Sequence, residues 1–77
     1  MRVEEIITLL KDINPVMELN AQTDLFDTGY VDSFVIFNEL LPKLEEKYGF
    51  EVTPLDLMPE NFLTPQCIAD FVDKKLA

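Results

Sequence analysis

Apolar residues recur at helical spacing in three stretches of the chain, separated by prolines and by one long polar connection. From Arg2 to about Ile13, Val3, Ile6, Ile7, Leu10 and Ile13 share one face, and Glu4, Glu5, Lys11 and Asp12 lie elsewhere. Glu4 and Glu5 in the first turn suit the helix dipole, and Asn14-Pro15 ends the element. The second stretch runs from Ser33 to about Tyr48 with Phe34, Phe37, Leu40, Leu41, Leu44 and Tyr48 in phase, and Gly49 stops it. Pro42 lies inside this pattern, where a proline removes a hydrogen bond and costs about 3 kcal/mol in an unadapted helix. The stripe continues past it, which predicts a kink or local bulge within one helix.

Phe50-Glu51-Val52 reads as a short extended connection. Thr53-Pro54-Leu55-Asp56 is a helix start, with a threonine cap, proline at the first position and an acid two residues on. Pro59 keeps that helix short. Thr64-Pro65 repeats the signal and opens a last helix to about Lys75, with Ile68, Phe71, Val72 and Leu76 on one face and Lys74 and Lys75 at its end. The expectation is an all-α bundle of four helices, the third one short, with no sheet. The connection from Asn14 to Asp32 is long for a small domain, so it should be packed down or functional. Leu19, Leu25 and Phe26 are its candidate anchors, and Asp27-Thr28-Gly29 is a turn signal.

With 77 residues the chain makes one domain, residues 1–77, around one small core. Hydrophobic content of 48% supports a globular fold. Six basic residues against fifteen acidic ones give a net charge of -9, which disfavours nucleic acid and anionic membrane surfaces and favours partners with basic patches. Cys67 is the one cysteine, so no internal disulfide forms, and no run is apolar enough to span a membrane. A cytoplasmic monomer is the expectation.

The absence of histidine removes hydrolytic triads. Cys67, beside Ile68 in mid-helix, reads as a small buried hydrophobe. The acids between Asp24 and Asp32 do not fit a calcium loop: with Gly29 as the turn glycine, Phe26 and Thr28 fall at ligand positions and Val35 at the closing glutamate. No other metal set is present, and these acids read as a solvated face. What remains is Ser33, a hydroxyl at a helix start beside Asp32. Either residue can serve as the cap. The alternative is a site of covalent phosphate attachment, since first-turn N–H groups and the helix dipole tolerate an anion there. Phe34, Val35 and Ile36 follow in a row, and one core-facing stripe cannot bury all three. Val35 or Ile36 should be exposed and available for docking.

Asp32-Ser33-Phe34 at the head of a long helix, Leu44-Glu45-Glu46-Lys47-Tyr48-Gly49 near its end, and Thr64-Pro65-Gln66-Cys67-Ile68-Ala69-Asp70-Phe71-Val72 resemble the acyl/peptidyl carrier protein family. The resemblance covers nearly the whole chain, including helix order and acidic charge. It implies 4'-phosphopantetheine attached to Ser33 by a phosphopantetheinyl transferase that reads Asp32. It also implies an acyl or aminoacyl thioester on that arm, an adenylating ligase, and an acyl- or aminoacyl-transferase as partners. It implies no catalysis by the chain itself. Docking is carried over to Phe34, Val35, Ile36 and Glu39. Two residues separate Gly29 from Asp32, where fatty-acid-synthesis carriers typically have one. That spacing, with Met58-Pro59-Glu60-Asn61-Phe62, is similar to D-alanyl carrier proteins and other stand-alone carriers. The stretch from Ser33 to Leu44 is one residue longer than is usual in the family, in the region of Pro42. The alternatives are a fatty-acid or secondary-metabolite carrier and, in a different class, an acidic helical interaction domain without a prosthetic group. In that last case Ser33 is only a cap, and Ser33→Ala costs about 1 kcal/mol.

Overall fold

A computed structural model describes residues 1–77. Its regular elements are all helical, with no strand. Helix α1 spans Arg2–Ile13, α2 Ser33–Val35, α3 Leu41–Tyr48 and α4 Pro65–Leu76. A π-helical turn, Ile36–Leu40, joins α2 to α3, so Ser33 to Tyr48 is one continuous helical run. This is the local bulge expected near Pro42, placed one turn ahead of it. The Leu41 N–H bonds to the Ile36 carbonyl, an i→i+5 step that takes up one extra residue. Proline has no N–H, and its ring collides with the carbonyl four residues back. Widening the preceding turn is the adaptation that lets the helix continue. Gly49 ends the run at φ +74 and donates to the Glu45 carbonyl at 2.8 Å.

The expected third helix is not one. In its place are two 3-10 turns, Pro54–Asp56 and Pro59–Asn61. The Thr53-Pro54 start forms: the Thr53 N–H donates to Asp56 Oδ2 at 2.9 Å. It cannot extend, because Pro59 would leave the Leu55 carbonyl without its helical donor. The chain turns at Leu57 and starts again. The bundle therefore has three long helical segments and a pair of turns.

The core joins Val3, Ile6, Leu9 and Leu10 of α1 to Ile36, Leu40, Leu41 and Leu44 of the long run and to Ile68, Ala69, Phe71 and Val72 of α4. Leu9 belongs to the stripe although the periodicity did not include it; Ile7 and Ile13 are half-buried beside it. Leu76 is exposed and Cys67 half-buried, so neither is the core residue expected. Phe71 holds both flanking segments, with Phe62 at 5.4 Å and Phe50 at 5.9 Å between ring centroids, each edge-on. Arg2 closes the outside of α1, α3 and α4. It donates to Asp73 at 2.9 Å and Glu5 at 3.2 Å and lies over the Tyr48 ring, whose hydroxyl donates to Glu5.

Candidate functional site at the start of the long helical run

The connection from Asn14 to Asp32 is packed down, and that packing fixes Ser33. Met17, Leu25 and Val31 are buried, while the expected anchors Leu19 and Phe26 are half-buried beside them. Asp24 organises the last bend, accepting from the Phe26 N–H at 3.1 Å and the Asp27 N–H at 2.8 Å. Gly29 takes φ +78, a left-handed conformation that favours glycine, and donates to the Phe26 carbonyl at 3.0 Å. The Leu25 N–H bonds to the Leu63 carbonyl at 2.8 Å and Val31 bonds back to Leu25 at 3.0 Å. Ser33 thus follows a buried anchor by two residues.

Asp32 is the cap. Its backbone is extended and its Oδ1 accepts from the Val35 N–H at 2.9 Å. Of the two capping candidates the aspartate takes the task, so the exposed Ser33 hydroxyl is not needed for capping. Phe34 and Phe37 are 71% and 56% exposed. Val35 is half-buried and Ile36 is in the core at 8%. The expectation that Val35 or Ile36 would be the exposed apolar residue is corrected by this: Ile36 is a core residue, and the two phenylalanines face solvent. The cause is the π turn, which shifts the apolar phase so that Ile36, Leu40 and Leu44 face inward. Glu39 is exposed.

Ser33 opens onto an apolar groove of about 320 Å3 between the long run and the two 3-10 turns, with Phe26, Phe37, Leu57, Met58 and Phe62 among its walls. No charged side chain lines it. A second groove of about 320 Å3 continues past Phe37 and Leu57 toward Leu41, Pro42 and Val52. Phe37, Leu57 and Met58 were not anticipated as site residues. Phe37 was counted with the core by its spacing, Met58 entered only as part of the Met58-to-Phe62 resemblance, and nothing marks Leu57 before the chain folds.

Asp56 ties the outer wall of the groove to α4. Its Oδ2 accepts from Lys75 Nζ at 2.8 Å and from the Thr53 hydroxyl at 3.1 Å, and its carbonyl accepts from Asn61. Lys75 first, and Thr53 second, hold the Asp56 carboxyl below its ordinary value. Along the chain on either side of Ser33 the formal charges have one sign. No lysine or arginine occurs between Lys11 and Lys43, whereas Asp24, Asp27, Asp32 and Glu39 all do. No group of three or more His, Cys, Asp or Glu side chains is placed to hold a metal ion. No helix is long and apolar enough to cross a membrane.

A D-alanyl carrier protein of Abiotrophia defectiva is 30% identical over 76 residues, covering 96% of this chain and 95% of that protein. The chain belongs to the carrier protein family. A lincomycin biosynthesis protein, LmbN, of Streptomyces lincolnensis is 37% identical over 70 residues, 87% of this chain but 25% of that protein's length. No family model matches the chain, and no solved structure does.

Carrier membership raises the question whether the residues at Ser33 suit a phosphate-linked arm. They do: the hydroxyl is exposed and released from capping by Asp32, and an uncharged groove starts beside it. Ser33 would hold the group. First-turn N–H groups would face its phosphate with the favourable end of the helix dipole.

Proposed function

We propose that this protein carries an acyl or aminoacyl group on 4'-phosphopantetheine attached to Ser33, as a D-alanyl-type or other stand-alone carrier. The observation that carries this reading is the division of labour at the helix start, where Asp32 caps and Ser33 stays exposed. In modification, the Ser33 hydroxyl displaces adenosine 3',5'-bisphosphate from coenzyme A. One P–O bond forms to Oγ, the pyrophosphate P–O bond breaks, and the hydroxyl proton passes to a base of the phosphopantetheinyl transferase. The arm, once bound, supplies a terminal thiol that holds a carboxylic acid as a thioester.

The chain's own residues supply position and recognition, and no residue acts as a catalyst. Asp32 fixes the first turn and is the motif residue the transferase reads. Phe34, Val35 and Glu39, with Phe37 in place of the buried Ile36, form the face offered to the adenylating ligase and the acyl- or aminoacyl-transferase. The uniformly negative charge beside them supports basic-rimmed partners and fast, salt-sensitive docking. The protein is proposed to work as a cytoplasmic monomer.

The pantetheinylated protein should be incubated with adenylating ligases, ATP and a panel of amino and fatty acids. A one-acyl gain in intact mass that hydroxylamine removes supports the reading. Failure of several active transferases to add pantetheine at all would sink it.

A further inference from the structure

Two fixed points bracket the start of the helical run. Val31 is buried and its N–H bonds to the Leu25 carbonyl, while Leu41 and Leu44 sit in the core. Between them Ile36 is buried on the same side as Leu41. In a regular helix five residues turn the chain by about 500°, so those two side chains would point about 140° apart. The i→i+5 step from the Leu41 N–H to the Ile36 carbonyl brings them together and stores one surplus residue inside the turn. Where the surplus is stored decides what faces out. Stored ahead of Ile36, it would break the first turn, in which the Ile36 N–H bonds to the Asp32 carbonyl and the Val35 N–H to Asp32 Oδ1. The helix running back from Leu41 would then be regular, with Phe37 in the place of Ile36. Two residues oppose that migration. Pro42 has no N–H for the Asn38 carbonyl, and its ring keeps the preceding turn wide. Asn38 is exposed, and its Nδ2 donates to the Phe34 carbonyl at 2.9 Å, tying the π turn to the residue after Ser33.

We propose that Asn38 is a positioning residue that pins the surplus residue behind Ser33, and that this placing presents Ser33 with the Phe34–Phe37 pair in the phase that the phosphopantetheinyl transferase reads. The recognition half rests on the carrier reading; the latch itself does not. Without the latch the surplus migrates toward Ser33, Phe37 displaces Ile36, and the first turn rotates by about 100°. One net hydrogen bond shifts such an equilibrium by about fivefold. A transferase that binds only one register then sees its carrier diluted, so KM rises and kcat stays.

The test compares wild type, Asn38→Ala, Asn38→Ser and the double variant Asn38→Ala/Pro42→Ala. The first readout is amide exchange at Val35 and Leu41 in the unmodified protein, which needs no coenzyme A. Alanine is the better helix former, so in an ordinary exposed helix Asn38→Ala would slow exchange. Here it should speed exchange at both amides by about fivefold. Asn38→Ser keeps a donor that reaches the carbonyl four residues back, and it should restore the wild-type rate. The second readout is KM and kcat for modification by a phosphopantetheinyl transferase with coenzyme A. The double variant, freed of both restraints, should raise KM for the carrier by about fivefold or more at unchanged kcat. Unchanged or slower exchange in Asn38→Ala, or no rescue by serine, overturns the latch. Faster exchange with an unchanged KM in the double variant overturns its part in recognition. A wild-type protein that gains no pantetheine overturns the carrier reading, and the exchange result then stands or falls separately.

Discussion

The two sides of this molecule are built to different rules. On the α1–α4 side the helices are regular and their apolar stripes buried, and Arg2 links Glu5, Tyr48 and Asp73 across three elements. A groove between α1 and α3 there is lined by charges of both signs, including Asp12, Lys43, Glu46 and Lys47. On the Ser33 side the helix is interrupted by a π turn, two phenylalanines face solvent, the facing wall is two 3-10 turns, and the formal charges of the segment between Lys11 and Lys43 are all negative. Local rules are broken only where the protein is proposed to meet its partners. The regular packing lies on one side and the proposed recognition face on the other, and substitutions on the two sides should separate accordingly.

The largest effect should come from the shared core. Leu10→Ala or Leu44→Ala removes a fully buried side chain and should cost about 2–5 kcal/mol, enough to unfold much of a domain this small, as urea titration will report. Asp32→Ala should cost about 1 kcal/mol, because the Val35 N–H loses its acceptor. An unchanged denaturation midpoint would mean that another group caps the run.

Lys75→Met should cost about 1 kcal/mol and loosen the groove wall, read as faster amide exchange between residues 53 and 58. Asp56 adds a pH signature. Its carboxyl is held below the ordinary value of 3.8, so its contribution is complete above that pH and drains away as pH falls through the lowered value. Asp56→Asn should flatten that part of the stability–pH curve, and an unaltered acid limb would contradict the assignment.

The smallest stability effects should lie on the Ser33 face. Phe34→Ala and Phe37→Ala should stay within about 0.5 kcal/mol of wild type in urea, since neither ring is in the core. Their effect should fall on docking, with at least about a tenfold loss of affinity for a partner transferase if these rings anchor the contact. A phenylalanine that costs stability but leaves affinity unchanged would reverse the comparison.

What the sequence shows directly is the regular side. The α1 and α4 boundaries, the Gly49 stop, the proline-capped starts and the continuity of the run through Pro42 all follow from local chemistry. The exposed side was less legible, because tertiary choices decide it. Periodicity assigned Phe34 and Phe37 to the core, but one residue absorbed in the π turn rotated Ile36 inward in their place. Thr53-Pro54 signals a helix start correctly, yet Pro59 turns it into a 3-10 pair. Ser33 stands out as a candidate from its neighbours in sequence, whereas the groove beside it depends on Leu57 and Met58, far along the chain.

The central claim is that Ser33 carries the arm and Asp32 carries the cap. Because Ser33 does not cap, Ser33→Ala should leave stability within about 0.5 kcal/mol of wild type, not the loss of about 1 kcal/mol that a capping serine would give. The decisive measurement is the intact mass of wild type and Ser33→Ala after incubation with coenzyme A and an active phosphopantetheinyl transferase. The account predicts a gain of one phosphopantetheine on wild type and none on a fully folded Ser33→Ala protein. No gain on wild type, or the same gain on the variant, would contradict it.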